Sequence, residues 1–240
     1  MGLGVEPGSG NRRLSELFAE AASDRRGEEA PPLHDVVVDT RIARLSILPG
    51  DPLLESAVAR PGILPRIVRP YVDQIAFCVI DCPPNLGFLT ANALHTQAEF
   101  PRGLILTPLQ QARWSLEGLA QFLDALEELS EINPRINPEN FRVVLTMVDA
   151  RVKRTRTYVE RELNAVAEKI CRTVIRRCEE LNHSQACSQT IFEFNPLSSA
   201  ALDYWALTGE ILTILEKKEE TTDGTHSSNR KQPLETTPRQ

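Results

Sequence analysis

The run Ile75-Ala-Phe-Cys-Val-Ile-Asp81 constrains the fold more than any other stretch of this chain. It is continuously apolar until its last residue and has the length of a strand. Such runs suit a strand covered on both faces, as in a parallel sheet. The run closes on an acidic residue, and Pro83-Pro84 follows almost at once. A carboxylate at the end of a buried strand is costly without a partner. It is tolerated where it faces a magnesium-bound water or a donor in a cleft. The prolines fix φ and remove two N–H donors, so the chain leaves the sheet abruptly. Gly87 supplies backbone freedom or close approach at the helix that follows. The competing reading is an ordinary strand-to-helix turn in which Asp81 caps the helix.

Around this run, short apolar segments alternate with longer amphipathic ones. Strands are expected at Ala43–Leu48, Ile75–Asp81, Gly103–Pro108, Phe141–Val148 and Thr173–Ile175. Helices are expected from Asp51 as cap, over Ile63–Tyr71, over Leu86–His95 and from Ser115, where Leu116, Leu119, Phe122, Leu123, Leu126 and Leu129 form one stripe. Further helices are expected over Thr157–Ile170 and Ser198–Leu215, the last offering Leu202, Trp205, Ala206, Ile211 and Leu215 for packing. Strand and helix alternating at this spacing predict an α/β protein with a mainly parallel sheet and helices on both faces. Ligands of such sheets bind at the carboxyl ends of the strands. Residues 1–34 read as a loop-rich segment with one short helix, Leu14–Ala22, capped by Asn11 or Ser15. Residues 35–216 read as the α/β domain, and residues 217–240 as a disordered polar tail.

The net charge of -6 argues against a molecule that is basic overall, so any nucleic-acid contact has to come from a local patch. Arg151, Lys153, Arg154 and Arg156 make such a patch between a strand end and a helix, and positive charge at a helix start asks for an anionic partner. Five cysteines without a paired spacing fit a reducing compartment. Cys178, His183 and Cys187 are compactly spaced, but a fourth zinc ligand is not apparent and free thiols are the favoured reading. No apolar run approaches a membrane span.

The stretch from Asp81-Cys-Pro-Pro-Asn-Leu-Gly to Asn92-Ala-Leu94 resembles the Walker B and switch II segment of ParA/Soj partition ATPases. Thr107-Pro-Leu-Gln110, Ser115-Leu-Glu-Gly-Leu119, Leu145-Thr-Met-Val-Asp-Ala-Arg151, Thr173-Val-Ile175 and Asn195-Pro-Leu-Ser-Ser-Ala-Ala-Leu-Asp-Tyr204 resemble further motifs of that family, in the same order. The likeness runs from about Val36 to about Leu215. It implies a P-loop NTPase fold of ParA type, with ATP and magnesium as cofactors. Asp81 would orient the magnesium-bound water. Pro83, Pro84 and Gly87 would form the switch that senses the γ-phosphate. Met147, Asp149 and Arg177 would lie at the base, and Arg151 matches an arginine used for non-specific DNA binding, with Lys153, Arg154 and Arg156 beside it. The implied partners are DNA, a centromere-binding ParB-like protein, and a second subunit of its own kind or an intact ParA chain as a dimer. The implied setting is cytoplasmic and nucleoid-associated.

The chain departs from the family pattern in two places. It contains no Gly-Lys dipeptide, and its glycine-rich Gly8-Ser-Gly10 follows no strand, so the phosphate-binding loop is read as missing and ATP hydrolysis as uncertain. A strand beside Ile75–Asp81 is then also missing, which predicts an unpaired apolar edge and a chain that is marginally stable or oligomeric. The second departure follows Ile175, where Arg176 takes the place of a proline and Glu180 that of a basic residue. The alternative to a nucleotide-dependent partition protein is a non-catalytic binding module, or a truncated remnant, that pairs with an intact ParA subunit or with DNA.

Overall fold

The computed structural model describes residues 11–24, 32–57, 60–100, 103–110, 113–149 and 164–227. Helix α1 (Leu14–Ser23) buries Leu14, Leu17, Phe18 and Ala21, the i, i+3, i+4, i+7 stripe of an amphipathic helix. These side chains meet Leu33, Val36, Ile63 and Ile67 in a first core. The cap of α1 differs from the expectation. Arg13 occupies the N-cap position without a side-chain bond, and the N–H of Ser15 donates to Asp51 Oδ2 at 2.9 Å. Asp51 Oδ1 also accepts from Leu53 N at 3.0 Å ahead of α2 (Leu54–Ala57). One carboxylate therefore serves two helix starts. Burial works to raise its pKa, but the donors at Ser15 and Leu53 outweigh it and hold the Asp51 carboxyl below its ordinary range.

Helix α3 (Ile63–Val68) begins after Gly62, whose φ of 85° is the left-handed conformation that favours glycine. It has no cap of its own. Asn92, fully buried on α4 (Phe88–Glu99), supplies one from a distance. Its Oδ1 accepts from Ile63 N at 2.8 Å and Leu64 N at 3.0 Å. Its Nδ2 donates to Arg60 O at 3.0 Å and Phe88 O at 2.9 Å. Every polar position of this side chain is used, which is what a buried amide requires.

The sheet lies further along the chain. Strand β3 (Ile105–Gln110) pairs in parallel with β4 (Phe141–Thr146), in the register Ile105 to Phe141 through Gln110 to Thr146. Residues 170–177 run along β4 in parallel through single bridges at Val143–Ile170 and Val148–Arg176. Side chains of β4 alternate between two layers. Phe141, Val143 and Leu145 pack with Leu109 against Leu119 of α5 (Arg113–Ile132). Val144 packs with Cys171 and Ile175 against Leu207 of α8 (Ser199–Ser227). Helices thus cover both faces of a parallel sheet, as the alternating pattern predicts. Helices α6 (Glu179–Ala186) and α7 (Ile191–Phe194) connect the 170–177 segment to α8.

Several expectations differ from the structure. Ile75–Asp81 is not a buried strand: it has no strand pairing among the described residues, and Phe77 and Val79 are 65% and 91% exposed. A strand is stable only when its backbone groups have a partner, and none of the described strands lies against this run. The segment at 43–48 contributes only β2 (Ser46–Ile47), antiparallel to β1 (Val38–Asp39). Helix α5 begins at Arg113, so Ser115 lies within it and is not its cap. Leu202 and Trp205 are exposed, while Ile211 packs on α8 as expected, together with Leu207. The helix itself extends to Ser227. The first half of the helix expected over Thr157–Ile170 falls outside the described residues, and its second half is a 3-10 turn at Asn164–Lys169.

The hairpin of β1 and β2 is tied to α7. Arg41 donates to Glu193 Oε1 at 3.1 Å, to Glu193 Oε2 at 2.8 Å and to Ser188 O at 2.9 Å, while Thr190 and Glu193 form a reciprocal capping box. The Arg41 guanidinium, with the Thr190 donors, holds the Glu193 carboxyl down at about 2 against an ordinary 4.5.

Two predictions follow from this packing. Asn92→Ala leaves the Ile63 and Leu64 donors unpaired and is expected to cost about 2–3 kcal/mol in urea unfolding. A loss below about 0.5 kcal/mol contradicts the capping role. Glu193 has a lowered folded pKa, so its contribution is complete above 4.5 and lost as pH falls toward about 2. Glu193→Gln is expected to remove that part of the acid sensitivity, and parallel pH–stability curves for the two proteins over this range contradict it.

Candidate functional site at the carboxyl end of the sheet

The site begins where β4 ends. Met147 adopts φ of 53°, a left-handed conformation that a side chain of this kind rarely takes, and it is half exposed. The turn redirects the chain so that Val148 meets the neighbouring segment. Val148 N donates to Ile175 O at 3.1 Å, and Arg177 N donates to Val148 O at 3.0 Å. This reciprocal pair brings Met147, Asp149 and Arg177 to one edge at the carboxyl end of the sheet, where open α/β sheets place their ligands. Strained backbone of this kind clusters at functional sites.

The edge is held from behind by α8. Glu210 accepts from the backbone N–H groups of Arg172 at 2.7 Å and Thr173 at 2.9 Å. Burial acts to raise its pKa, but these donors outweigh it and keep the carboxyl below its ordinary range. Asp203 accepts from Arg176 N at 2.9 Å and from the Arg176 guanidinium at 2.7 Å and 2.9 Å. Asp203 is itself mostly buried. Arg176, the residue standing where the family has proline, is therefore turned inward against α8, and Arg177 is exposed. Cys171 is buried behind the edge, and burial pushes its thiol up to about 11. It stays protonated at neutral pH and packs rather than reacts.

Asp81 is exposed in the chain between Ile75 and Gly87, with Pro83 half-buried and Pro84 exposed. Gly87 has φ of -74°, so no unusual backbone freedom is used there; it is the N-cap position of α4. Close approach is the constraint instead. A Cβ at Gly87 would come within 3.0 Å of Asn85 Oδ1, the atom that accepts from Gly87 N. The basic residues Arg151, Lys153, Arg154 and Arg156 lie outside the described residues.

Among the described residues, no three His, Cys, Asp or Glu side chains converge as a metal-holding group. Cys178 instead approaches Glu180, with Sγ 3.1 Å from Oε2. Glu180, standing where the family has a basic residue, also accepts from Asn195 at 2.6 Å. No helix of the described residues is long and apolar enough to cross a membrane.

Sequence reading singled out Met147, Asp149 and Arg177 but missed what positions them. Asp203 and Glu210 are seven residues apart, two turns of helix, and this spacing put both acids on one face. Removing the Asp203 carboxylate by Asp203→Ala is expected to cost about 1.5–3 kcal/mol and to speed amide exchange at Ile175, Val148 and Arg177. Unchanged exchange at these three amides contradicts the positioning role.

Comparison with known proteins finds the following similarities. A family described as an AAA domain matches residues 29–139. An uncharacterized protein of Mycobacterium tuberculosis is 27% identical over 188 residues, covering 75% of this chain and 57% of its own length. The sporulation initiation inhibitor protein Soj of Bacillus subtilis is 26% identical over 218 residues, covering 88% of this chain and 80% of Soj. The chromosome partitioning protein ParA of Myxococcus xanthus is 26% identical over 189 residues, covering 75% and 64%. The chain thus spans little more than half of the M. tuberculosis relative. The ordered motifs, the parallel sheet covered on both faces and these matches together make the chain similar to the ParA/Soj-like partition ATPases.

Proposed function

We propose that this chain serves the partition of chromosomal or plasmid DNA through a nucleotide-dependent, sequence-independent contact with DNA. The observation that carries the proposal is the strand-end edge of Met147, Asp149 and Arg177, locked by the Val148 exchange with Ile175 and Arg177. In sequence the basic residues begin two positions after Asp149, at Arg151. A base held at the edge and a phosphate backbone held by Arg151, Lys153, Arg154 and Arg156 would then be coupled through one strand end. Phosphate contacts of this kind position a protein on DNA without reading its sequence.

The cofactors proposed are ATP and magnesium. The residues present fit them in part. Asp81 is exposed, so its carboxylate can meet a hydrated magnesium ion, which typically keeps several waters and takes one or two carboxylates. When bound, the ion would neutralise charge on the phosphates. Pro83, Pro84 and Gly87 stiffen the segment that carries Asp81 and would respond to the terminal phosphate. No phosphate cradle is proposed from these 240 residues, which contain no Gly-Lys pair, and hydrolysis by this chain alone is not part of the proposal. A centromere-binding ParB-like protein is the proposed partner at the partition complex. Association with DNA in the cytoplasm makes the chain nucleoid-associated.

The exposed Ile75–Ile80 run favours a second reading. An apolar segment without a strand partner among the described residues suits a binding module that pairs with an intact ParA subunit, with no catalysis of its own.

DNA binding tests the proposal and separates the readings. Replacing Arg151, Lys153, Arg154 and Arg156 by alanine is expected to weaken binding to random-sequence duplex by about 10-fold or more at ~100 mM salt, and to reduce the salt slope by about 3. Unaltered affinity and slope contradict the DNA contact. In the first reading ATP with magnesium tightens DNA binding by the full chain; in the second, DNA affinity is the same with and without nucleotide.

A further inference from the structure

The turn that closes α5 is fastened to α4 at two neighbouring points. Asn133 follows the last residue of α5, and its N–H donates to Leu129 O at 2.8 Å. Its carbonyl accepts from Ile136 N at 2.9 Å, with Pro134 at the second position of the turn. Ile136 is buried and packs with Leu94 of α4 and Leu126 of α5. Beside this contact, His95 and Glu99 stand one turn apart on α4 and meet the same segment. Asn133 Nδ2 lies 3.0 Å from His95 Nδ1, and Arg135 donates to Glu99 Oε1 at 2.9 Å. Arg69, which follows α3, also approaches Glu99, at 3.9 Å.

A third bond settles the roles in the His95 pair. Asn133 Oδ1 accepts from Arg135 N at 3.2 Å, so the amide turns its NH2 group toward the ring. Nδ1 then has to accept, and it accepts only in the neutral imidazole with the proton on Nε2. A protonated ring carries N–H at both nitrogens and sets donor against donor. Turning the Asn133 amide over to meet it would withdraw Oδ1 from Arg135 N. The charged groups around the ring are Glu99 on its own helix and, through Glu99, Arg135 on the turn and Arg69 after α3. The ring is half-buried, and burial holds its pKa below the ordinary 6.5 against the opposing pull of Glu99. Once protonated, the ring competes for Glu99, the carboxylate that holds Arg135.

We propose that His95 and Asn133 form a proton-released latch between α4 and the turn that closes α5, closed with a neutral imidazole and open with an imidazolium. Opening undoes three contacts together: the ring–amide bond, the Asn133–Arg135 bond inside the turn and the Arg135–Glu99 ion pair. The latch grips the last turns of α4, the helix that leads out of the Asp81–Gly87 segment and carries Asn92, the cap of α3. Its sign follows from the lowered folded pKa: the stabilisation is complete above 6.5 and is lost as the pH falls below that value. The latch involves neither the Met147–Arg177 edge nor the basic residues after it, so it stands independently of the proposed nucleotide and DNA chemistry.

Amide exchange in the full chain without nucleotide tests this at Arg135 and Ile136, with each rate taken relative to an unstructured peptide at the same pH. Protection at both amides is expected to fall about 5-fold between about pH 7.5 and about pH 5, while Val148, bonded within the sheet, keeps its own. His95→Asn places an oxygen acceptor near the Nδ1 position without a titrating ring, and is expected to keep protection high at both pH values. Asn133→Asp replaces the donor by a carboxylate and keeps an oxygen for Arg135 N. It is expected to move the His95 pKa, read from the ring proton shifts, from below 6.5 to above it, and to make protection rise in acid. This reversal separates a proton-controlled latch from a merely structural contact. Wild-type protection that is equal at both pH values overturns the proposal. So does a fall that persists in His95→Asn, or a His95 pKa that stays below 6.5 in Asn133→Asp.

Discussion

Two carboxylates on one helix fix the part of this protein that matters most. Asp203 and Glu210 accept from the backbone of Arg172, Thr173 and Arg176, and by doing so they hold residues 170–177 against the edge of β4. Those residues are bound to β4 only by separate bridges rather than a continuous ladder. Charge-assisted bonds are stronger than neutral ones, so two such acids can substitute for a longer strand. With the segment in place, Val148 and Arg177 exchange backbone bonds and the strand-end edge exists. Without it, Met147 and Asp149 would end a strand facing nothing.

The same helix explains why one departure from the family pattern is tolerated. A proline at position 176 would have no N–H to give, whereas the arginine gives its N–H and its guanidinium to Asp203. The change alters what the segment is fastened to and leaves Arg177 facing outward. Asn92 plays a comparable part near the amino terminus. It lies inside the Asn-Ala-Leu piece of the switch-like motif, yet its bonds cap α3. One residue of that motif is thereby accounted for by packing alone.

How much of this was legible in the sequence depended on whether the signal was local. The stripe of α5 and the alternation of β4 are set by residues close in sequence, and both elements formed within a few residues of their expected bounds. The two-sided covering of the sheet followed from the alternation of strand and helix and from the apolar run Val143-Val144-Leu145 inside β4. Ile75–Asp81 has the same character but a different outcome, because strand formation also needs a partner backbone, and composition does not show whether one is present. The long-range caps of α1 and α3 were missed for a related reason. Asp51 and Asn92 act 36 and 29 residues away in sequence, and short-range capping rules do not reach that far. Of the candidate site, Met147, Asp149 and Arg177 were found by motif, while Asp203 and Glu210 were visible only as a seven-residue spacing whose meaning came with the fold.

The central proposal is that the carboxyl end of β4 faces a bound nucleotide. The most direct measurement is a titration of the isotopically labelled full chain with ATP and magnesium, followed by amide chemical shifts. The account predicts progressive shifts at Met147, Asp149 and Arg177, with the amides of α3 unmoved. Saturating nucleotide that leaves those three amides unchanged would contradict it.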